Sequence, residues 1–233
     1  MTVLCAGQWS GDRLAALPGP PGAERVEDQW LAWAKRLHAI AATGLHYAES
    51  PFDRERYAEA ASIANEMLAA LADVPPQRIR DLVPDFARGY ATPLVEVRGA
   101  IFDRDSRILL VREASDGRWT LPGGFADVGR SPGENIVKEV LEEASIRVDA
   151  RALYAVRHKA RHRYDADTRD FYKLFFVCER LDETAPRPGA ETTDAAFFTE
   201  RAIPPLSTGR TLPEDVAAAF AYRRDPSRPV AFD

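Results

Sequence analysis

Residues Leu121–Val148 read LPGGFADVGRSPGENIVKEVLEEASIRV, and this stretch decides the fold. Its second half predicts a helix from about residue 133 to residue 144. Ser131 is a favourable N-cap residue, Pro132 suits the first helical position, and Glu134 follows Ser131 at the spacing of a capping box. The stretch therefore predicts a helix that begins directly after a loop rich in glycine.

Three glutamates lie on one face of this predicted helix. Glu139, Glu142 and Glu143 are spaced i, i+3 and i+4, which brings their carboxylates together. Like charges at these spacings destabilise an isolated helix, so a compensating cation is expected. Mg2+ and Mn2+ prefer oxygen ligands and leave room for water and substrate phosphates. For the glutamates taken alone, the alternative is an acidic face exposed to water.

The residues before the helix favour the metal hypothesis. The run 119–121 is short and apolar, and Pro122, Gly123 and Gly124 stop it, which is typical of a strand that leads into a loop. Two glycines permit a tight turn and let a backbone carbonyl approach a ligand closely. The sequence therefore places a glycine loop beside a helix that carries carboxylates.

In this region the sequence resembles the Nudix hydrolases. The box of that family is a glycine, five residues, a glutamate, seven residues, arginine-glutamate-aliphatic, any residue, two glutamates, any residue, a glycine and an aliphatic residue. The matching positions are Gly124, Glu139, Val140, Glu142, Glu143 and Ile146. Arg130 replaces the first glutamate, Lys138 the arginine and Ser145 the last glycine. Lys138 keeps the positive charge without the planar fork, and Ser145 is expected to strain the helix exit.

The resemblance implies the residues that bind metal and act in catalysis. The catalytic residues are Glu139, Glu142 and Glu143, and the metal ligands are the same three glutamates with the carbonyl of Gly123. It also implies that a glutamate, Glu139 in this chain, accepts the proton of the attacking water. Arg130 cannot bind a cation, so we expect it to point into solvent or to bind a substrate phosphate.

Segments outside the box resemble a Nudix subfamily that has a helical N-terminal extension and includes CDP-choline pyrophosphatases. They are the segments 30–41, 44–45, 51–57, 125–129 and 172–176. The resemblance implies a homodimer that hydrolyses the pyrophosphate bond of a nucleoside diphosphate linked to another group. CDP-choline, ADP-ribose and a nucleotide sugar are open as substrates. The alternatives are RNA-end processing and a non-catalytic module that senses a nucleotide.

Composition narrows the function classes. The chain has 45% hydrophobic and 29% charged residues, which is typical of globular proteins. A net charge of -5 argues against a general nucleic-acid binder, although a local basic patch could bind RNA. Cys5 and Cys178 have no metal-ligand spacing, which suits a reducing compartment and a buried Cys178. Without a membrane-length apolar run or the features of a signal peptide, the chain is expected to be cytoplasmic, with no membrane partner.

The chain divides into three predicted parts. Residues 1–25 are rich in proline and glycine and show no steady period, which indicates a mobile tail. Residues 26–88 predict a small all-helical domain, and Pro84 to Pro93 a linker. Residues 92–233 predict an α/β domain, and the Nudix resemblance implies an α/β/α sandwich with a mixed sheet.

The first helix of the helical domain is predicted over residues 26–43, with Gly44 past its end. Its apolar stripe consists of Trp30, Trp33, Leu37, Ile40 and Ala41. A second helix is predicted over 51–71, and a short third one from Pro75 onward. Three short helices cannot bury this stripe, so we expect it to pack on the α/β domain or on a second subunit.

The α/β domain is predicted to open with a hairpin. Strands 95–102 and 108–111 flank the turn 103–106. Further strands are expected near residues 152–156, 171–178 and 195–198. A last helix is predicted from Pro213, and its apolar face consists of Val216, Ala217, Phe220 and Ala221.

Basic residues alternate from Arg157 through Lys159 and Arg161 to Arg163. In an extended segment they would share one face and meet phosphate oxygens, so Arg157, Lys159 and Arg130 are the candidate substrate-binding residues. The alternative is a solvated loop before Asp165. The segment 191–194 precedes a predicted strand, where many Nudix enzymes keep an additional acid, and a surface turn is its alternative interpretation.

Overall fold

The computed structural model describes residues 28–75, 91–127 and 129–233. Two helices form its N-terminal part, α1 (Gln29–Tyr47) and α2 (Pro51–Ala72). The predicted tail and most of the predicted third helix and linker lie outside the described residues. Among the described helices, none is long and apolar enough to cross a membrane.

Helix α1 starts close to its predicted position but ends later. The side chain of Asp28 caps it by accepting hydrogen bonds from the amides of Trp30 and Leu31. The prediction that the helix ends before Gly44 was wrong, because the helix continues to Tyr47. A β-carbon at Gly44 would lie 2.4 Å from the ring of Tyr57 on α2. Gly44 therefore lets two helices pack closely and does not terminate one.

The apolar stripe of α1 is only partly buried. The small core between the two helices contains Leu31, Ala34, Leu68 and Ala69. Trp30, Trp33 and Ile40 are 44%, 36% and 61% exposed, and the two indole rings contact each other edge to face at 5.1 Å. These exposed residues form what we call the α1 apolar face, which the rest of the described chain leaves uncovered.

Seven strands and two further helices form the α/β domain. Their bounds are β1 (Leu94–Ile101), β2 (Ile108–Glu113), β3 (Trp119–Thr120), α3 (Pro132–Ala144), β4 (Val148–His158), β5 (Phe171–Arg180), β6 (Thr192–Phe198), α4 (Pro213–Arg224) and β7 (Ala231–Phe232). One sheet has the order β1-β5-β4-β7 and the other β3-β2-β6. The first sheet is mixed, since β1 runs parallel and β4 antiparallel to β5.

The predicted hairpin of β1 and β2 was wrong, although both strands exist. The two strands share only one bridge, between Phe102 and Ile108, and β2 pairs instead with β3 and β6. The loop after β3 takes the free edge of β1: the amides of Val97 and Gly99 donate to the carbonyls of Gly124 and Pro122, each at 2.9 Å. The glycine loop therefore occupies the positions that a hairpin partner would need.

The sheets lie between α3 and α4, which confirms the predicted α/β/α sandwich. Alternate residues of β2 show this most clearly, because Ile108 and Leu110 belong to one apolar core and Leu109 and Val111 to the other. The first core contains Val216 and Phe220 of α4, and the second contains Ile136 and Val140 of α3. Cys178 is buried in the second core, as predicted.

Helix α3 has the predicted start. Ser131 and Glu134 form a reciprocal capping box, and Pro132 occupies the first turn. At the other end, Ser145 adopts the left-handed conformation with φ 56°, so the expected strain at the helix exit is present. The amides of Arg187 and Gly189 donate to the carbonyls of Ala144 and Glu143 and complete the end of the helix.

Replacing Ser145 with glycine is expected to stabilise the protein. A left-handed conformation costs an L-residue about 1–2 kcal/mol, and glycine adopts it freely. We expect Ser145→Gly to raise the free energy of unfolding by about 1 kcal/mol, as measured by urea denaturation. Ser62→Gly, at an exposed and regular position of α2, is the control and should lower stability by about 0.5 kcal/mol. A loss of stability in Ser145→Gly would contradict the strain.

Candidate active site

A cavity of about 810 Å³ opens between the glycine loop, α3 and the segment that leads into β5. The three glutamates of α3 line it together with Gly123, Gly124 and the segment 165–171. Because β1, the glycine loop and α3 contact each other, residues that are distant in the sequence line one cavity. Its size is that of a site for a nucleotide or another small molecule.

Glu139, Glu142 and Glu143 form what we call the acidic wall of the cavity. Glu139 and Glu143 are its inner part. Glu143 is 7% exposed, and its Oε2 accepts a hydrogen bond of 2.9 Å from the amide of Gly123. Gly124 lies against Glu139, because a β-carbon there would be 3.0 Å from Glu139 Oε2. The two glycines of the loop therefore let the backbone contact two carboxylates.

Burial raises the pKa of both carboxyl groups. For Glu143, burial raises the pKa to about 7, and the nearby Glu113 and Glu139 add to the effect. The guanidinium of Arg98 and the amide of Gly123 oppose it. Burial also raises the pKa of Glu139. Burial therefore disfavours the charged form of both carboxyl groups.

Glu142 has a different environment. Its side chain is 56% exposed and pairs with the ammonium of Lys138 at 2.8 Å. The same ammonium lies 3.4 Å from Asp127 and 3.5 Å from Glu139. Lys138 therefore compensates part of the negative charge of the helix face at the position where the Nudix box has arginine.

A buried charge network lies below the acidic wall. Glu96 on β1 accepts hydrogen bonds from Arg98 on the same strand and from Lys173 on β5, the latter at 2.6 Å. Burial alone would raise the pKa of Glu96, but the charges of Arg98 and Lys173 lower it to about 2. Burial lowers the pKa of Lys173 to about 8. Arg98 is fully enclosed and its charge acts on Glu143 as well as on Glu96.

Glu113 and Glu191 also line the cavity. Glu113 is placed at a register irregularity where β2 meets β6, and its carboxylate lies 3.2 Å from Arg210. Such an irregularity can turn a side chain away from the regular alternation of a strand. Because Glu191 lines the cavity, the segment 191–194 contributes to it and is not only a surface turn.

The candidate substrate-binding cations occupy different places. Lys159 lines the cavity and lies 3.3 Å from Asp167. Arg157 is turned into the domain, where its Nε lies 2.9 Å from the buried carboxylate of Asp215. Arg130 is exposed and is not part of the cavity wall. The predicted extended segment ends at His158, because residues Lys159–Arg161 form a 3-10 turn.

Comparison with known proteins agrees with this geometry. Residues 92–220 match the model of the NUDIX domain, and residues 28–83 match a model described as "UDP-X-like, N-terminal oligomerisation domain". The chain belongs to the Nudix family. A Bacillus subtilis protein named "Putative ADP-ribose pyrophosphatase" is 40% identical over 209 residues, which cover 90% of this chain and 99% of that relative.

Two solved Nudix structures are similar over much of the chain. A UDP-X diphosphatase has a TM-score of 0.55 and 33% identity, covering 88% of this chain and 98% of its own. An ADP-ribose pyrophosphatase from Streptococcus suis has a TM-score of 0.54 and 37% identity, covering 61% of this chain and 100% of its own. This chain is therefore a Nudix hydrolase with a helical N-terminal extension.

Nudix hydrolases generally use divalent metal ions, and the residues of this chain fit such an ion. Glu143 is a buried and Glu139 a partly buried oxygen donor, and burial raises the pKa of both carboxyl groups. The carbonyl of Gly123 accepts no hydrogen bond within the described residues. No group of three or more acidic, histidine or cysteine side chains in residues 28–75, 91–127 and 129–233 is already arranged as a cage, since Glu142 is turned towards Lys138.

Several cavity residues could not be assigned from sequence alone. Glu96 and Arg98 alternate in an apolar strand, and two charges on one face of such a strand were an available signal. Their partner Lys173 becomes evident only from the register, which sets Glu96 opposite Lys173. Glu113 and Arg210 are almost a hundred positions apart, so no local sequence pattern indicates that they form an ion pair.

Chelated protein is expected to lose stability as the pH rises, because of Glu143. Its pKa is about 7 in the fold, whereas the ordinary value for a glutamate is 4.5, so the folded state binds more protons between these values. The stabilising contribution is complete below about pH 4.5 and is lost as the pH rises through 7, a change on the order of 3 kcal/mol.

Urea unfolding in EDTA between about pH 5 and about pH 8 measures this change. Glu143→Gln should reduce the slope, because the amide does not titrate, whereas Glu55→Gln on an exposed turn of α2 should leave it unchanged. An identical slope in wild type and Glu143→Gln would show that another group causes the pH dependence.

Proposed function

We propose that this chain hydrolyses the pyrophosphate bond of a nucleoside diphosphate linked to another group. The products are a nucleoside monophosphate and the phosphorylated second half. The observation that carries the proposal is the pair of inner carboxylates, the partly buried Glu139 and the buried Glu143, which line a nucleotide-sized cavity from the Nudix helix. The names of the relatives support ADP-ribose and UDP-linked compounds as the first substrates to test. CDP-choline, which the subfamily resemblance suggested, belongs in the same panel.

The proposed roles follow from position and charge. Glu139, Glu143 and the Gly123 carbonyl would hold a divalent ion, Mg2+ or Mn2+, with Glu142 as a further ligand. Such an ion would neutralise the diphosphate and lower the pKa of the attacking water. Glu139 would accept the proton of that water. Lys159, on the opposite wall, binds a phosphate oxygen of the substrate.

The test is release of monophosphate from ADP-ribose, UDP-glucose and CDP-choline with Mg2+ or Mn2+ added. We expect turnover of at least one of them and its loss in EDTA. Glu143→Gln should reduce kcat by roughly 100-fold or more while the protein stays folded. Arg130→Ala, within the box but outside the cavity wall, is the control and should retain wild-type kcat and KM.

Several outcomes of this test count against the proposal. Wild-type turnover in excess chelator, or full activity of Glu143→Gln, would contradict the metal assignment. Nucleotide binding without any turnover would favour the sensing module. Turnover of capped or triphosphorylated RNA, with none of the small molecules cleaved, would favour RNA-end processing.

A homodimer is part of the proposal. The α1 apolar face exposes two tryptophans and an isoleucine side by side, and exposed apolar patches of this kind mark interfaces. The match of residues 28–83 to a domain described as an oligomerisation domain supports the same conclusion. A second copy of this chain is therefore proposed to cover this face.

Sedimentation analysis tests the interface. We expect the wild type to sediment as a dimer and Trp33→Glu to sediment as a monomer, because a buried unpaired carboxylate opposes association. Leu181→Glu, at a residue of the α/β domain that is 57% exposed, is the matched control and should remain dimeric. A monomeric wild type, or a dimeric Trp33→Glu variant, would contradict this interface.

A further inference from the structure

One wall of the cavity has no role in the chemistry described so far, apart from the phosphate contact proposed for Lys159. It consists of Phe125, Phe171, Arg169 and Lys159, all of which line the same volume as the acidic wall. Phe125 is 49% exposed, whereas Phe171 is 2% exposed. The two rings are stacked, with centroids 5.7 Å apart and an angle of 22° between their planes. Phe125 therefore rests on a fixed ring and presents much of its own surface to the cavity.

The position of Phe125 is fixed by its backbone. Residues Glu96 and Phe125 form a bridge between β1 and the glycine loop, and the neighbouring Ala126 amide donates to the carbonyl of Val95 at 3.0 Å. An apolar ring that is half exposed on a fixed backbone costs little entropy when it binds a ligand. The exposed half of the Phe125 ring is therefore available to bind a ligand.

The cations beside the rings are also held in place. The guanidinium of Arg169 lies 5.5 Å from the centroid of Phe125 and 5.0 Å from that of Phe171. Asp167 binds this guanidinium with two hydrogen bonds of 3.0 Å, to Nε and to Nη2. Lys159 lies 4.8 Å from the centroid of Phe171 and also pairs with Asp167. A planar ring and a planar cation, both oriented, form the surface on which a flat ligand group stacks.

We propose that Phe125, supported by Phe171 and Arg169, binds the nucleobase of the substrate by stacking. This inference rests on the proposed function and specifies which half of the substrate lies on which wall. Phe125 directly follows Gly124, whose α-carbon lies against the carboxylate of Glu139. A base on Phe125 is therefore close enough for its ribose to lead to a diphosphate at the acidic wall.

The charges of this wall disfavour binding of the non-nucleotide half of the substrate at Phe125. A cationic group such as choline would be repelled by the positive charges of Arg169 and Lys159, which lie next to these rings. A sugar presents no flat face that would stack as fully as a base on the ring of Phe125. The nucleobase combines planarity with neutrality, and both aromatic rings and guanidinium groups stack on bases.

Equilibrium binding of AMP, UMP and ribose 5-phosphate to the full chain tests this subsite without requiring turnover. Calorimetry should show that the wild type binds AMP about 10-fold more tightly than ribose 5-phosphate, because stacking of a base contributes about 1–3 kcal/mol. Phe125→Leu keeps apolar bulk without the ring and should weaken AMP binding by a similar factor, while ribose 5-phosphate binds as before. Phe125→Tyr keeps the ring and should retain wild-type affinity.

A second variant keeps the test open if Phe125→Leu does not fold. Arg169→Met removes the planar cation at similar length and should also weaken AMP more than ribose 5-phosphate. Equal affinity of the wild type for AMP and ribose 5-phosphate, or equal loss of both ligands in the variants, would overturn the subsite. AMP binding through Phe125 in a chain that hydrolyses none of the substrates would refute the proposed function alone. Turnover that is indifferent to Phe125→Leu would refute the subsite alone.

Discussion

The amide of Gly123 is the contact that joins the parts of this active site. It donates to Glu143 at the end of α3, while the α-carbon of the same residue is pressed against β1, where a β-carbon would lie 2.0 Å from the carbonyl of Val97. Gly123 also has φ 144°, which L-residues with a side chain rarely adopt. Because the loop is bound to β1 on one side and to Glu143 on the other, the strand, the loop and the helix keep one relative position. A side chain at this position would collide with the backbone of Val97 and would separate the glycine loop from β1.

The charge network below the acidic wall favours the burial of the Glu143 carboxylate. Arg98 and Lys173 bring two positive charges to a single carboxylate, that of Glu96. The positive charge of Arg98 also lowers the pKa of Glu143 and so offsets part of the effect of burial on that carboxyl group. A substitution in this network would leave a buried charge without its partner, which is costly, and would change the protonation of Glu143 at the same time.

Features with a local cause could be predicted from the sequence, and features with a tertiary cause could not. The start of α3 depends on Ser131, Pro132 and Glu134, which are neighbours in the chain, and the structure has it as predicted. Gly44 has the pattern of a helix end, yet the helix continues through it. The glycine is there because the ring of Tyr57 on another helix occupies the space that a β-carbon would need. The hairpin of β1 and β2 failed for a similar reason. The competing partner of β1 is a loop some twenty residues further on, which no periodicity reveals.

The three glutamates of the box share a helix face but are not equivalent, and this difference orders the cavity. Glu142 is largely exposed and paired with Lys138, whereas Glu139 is partly buried, Glu143 is buried, and both have raised pKa values. The need for a cation is therefore concentrated at the inner pair, next to the glycine loop. That loop continues directly into Phe125, so one short segment contacts the carboxylates through Gly123 and Gly124 and contributes Phe125 to the aromatic wall. The proposed diphosphate chemistry and the proposed base stacking would both depend on this segment, which the edge of β1 holds through backbone hydrogen bonds.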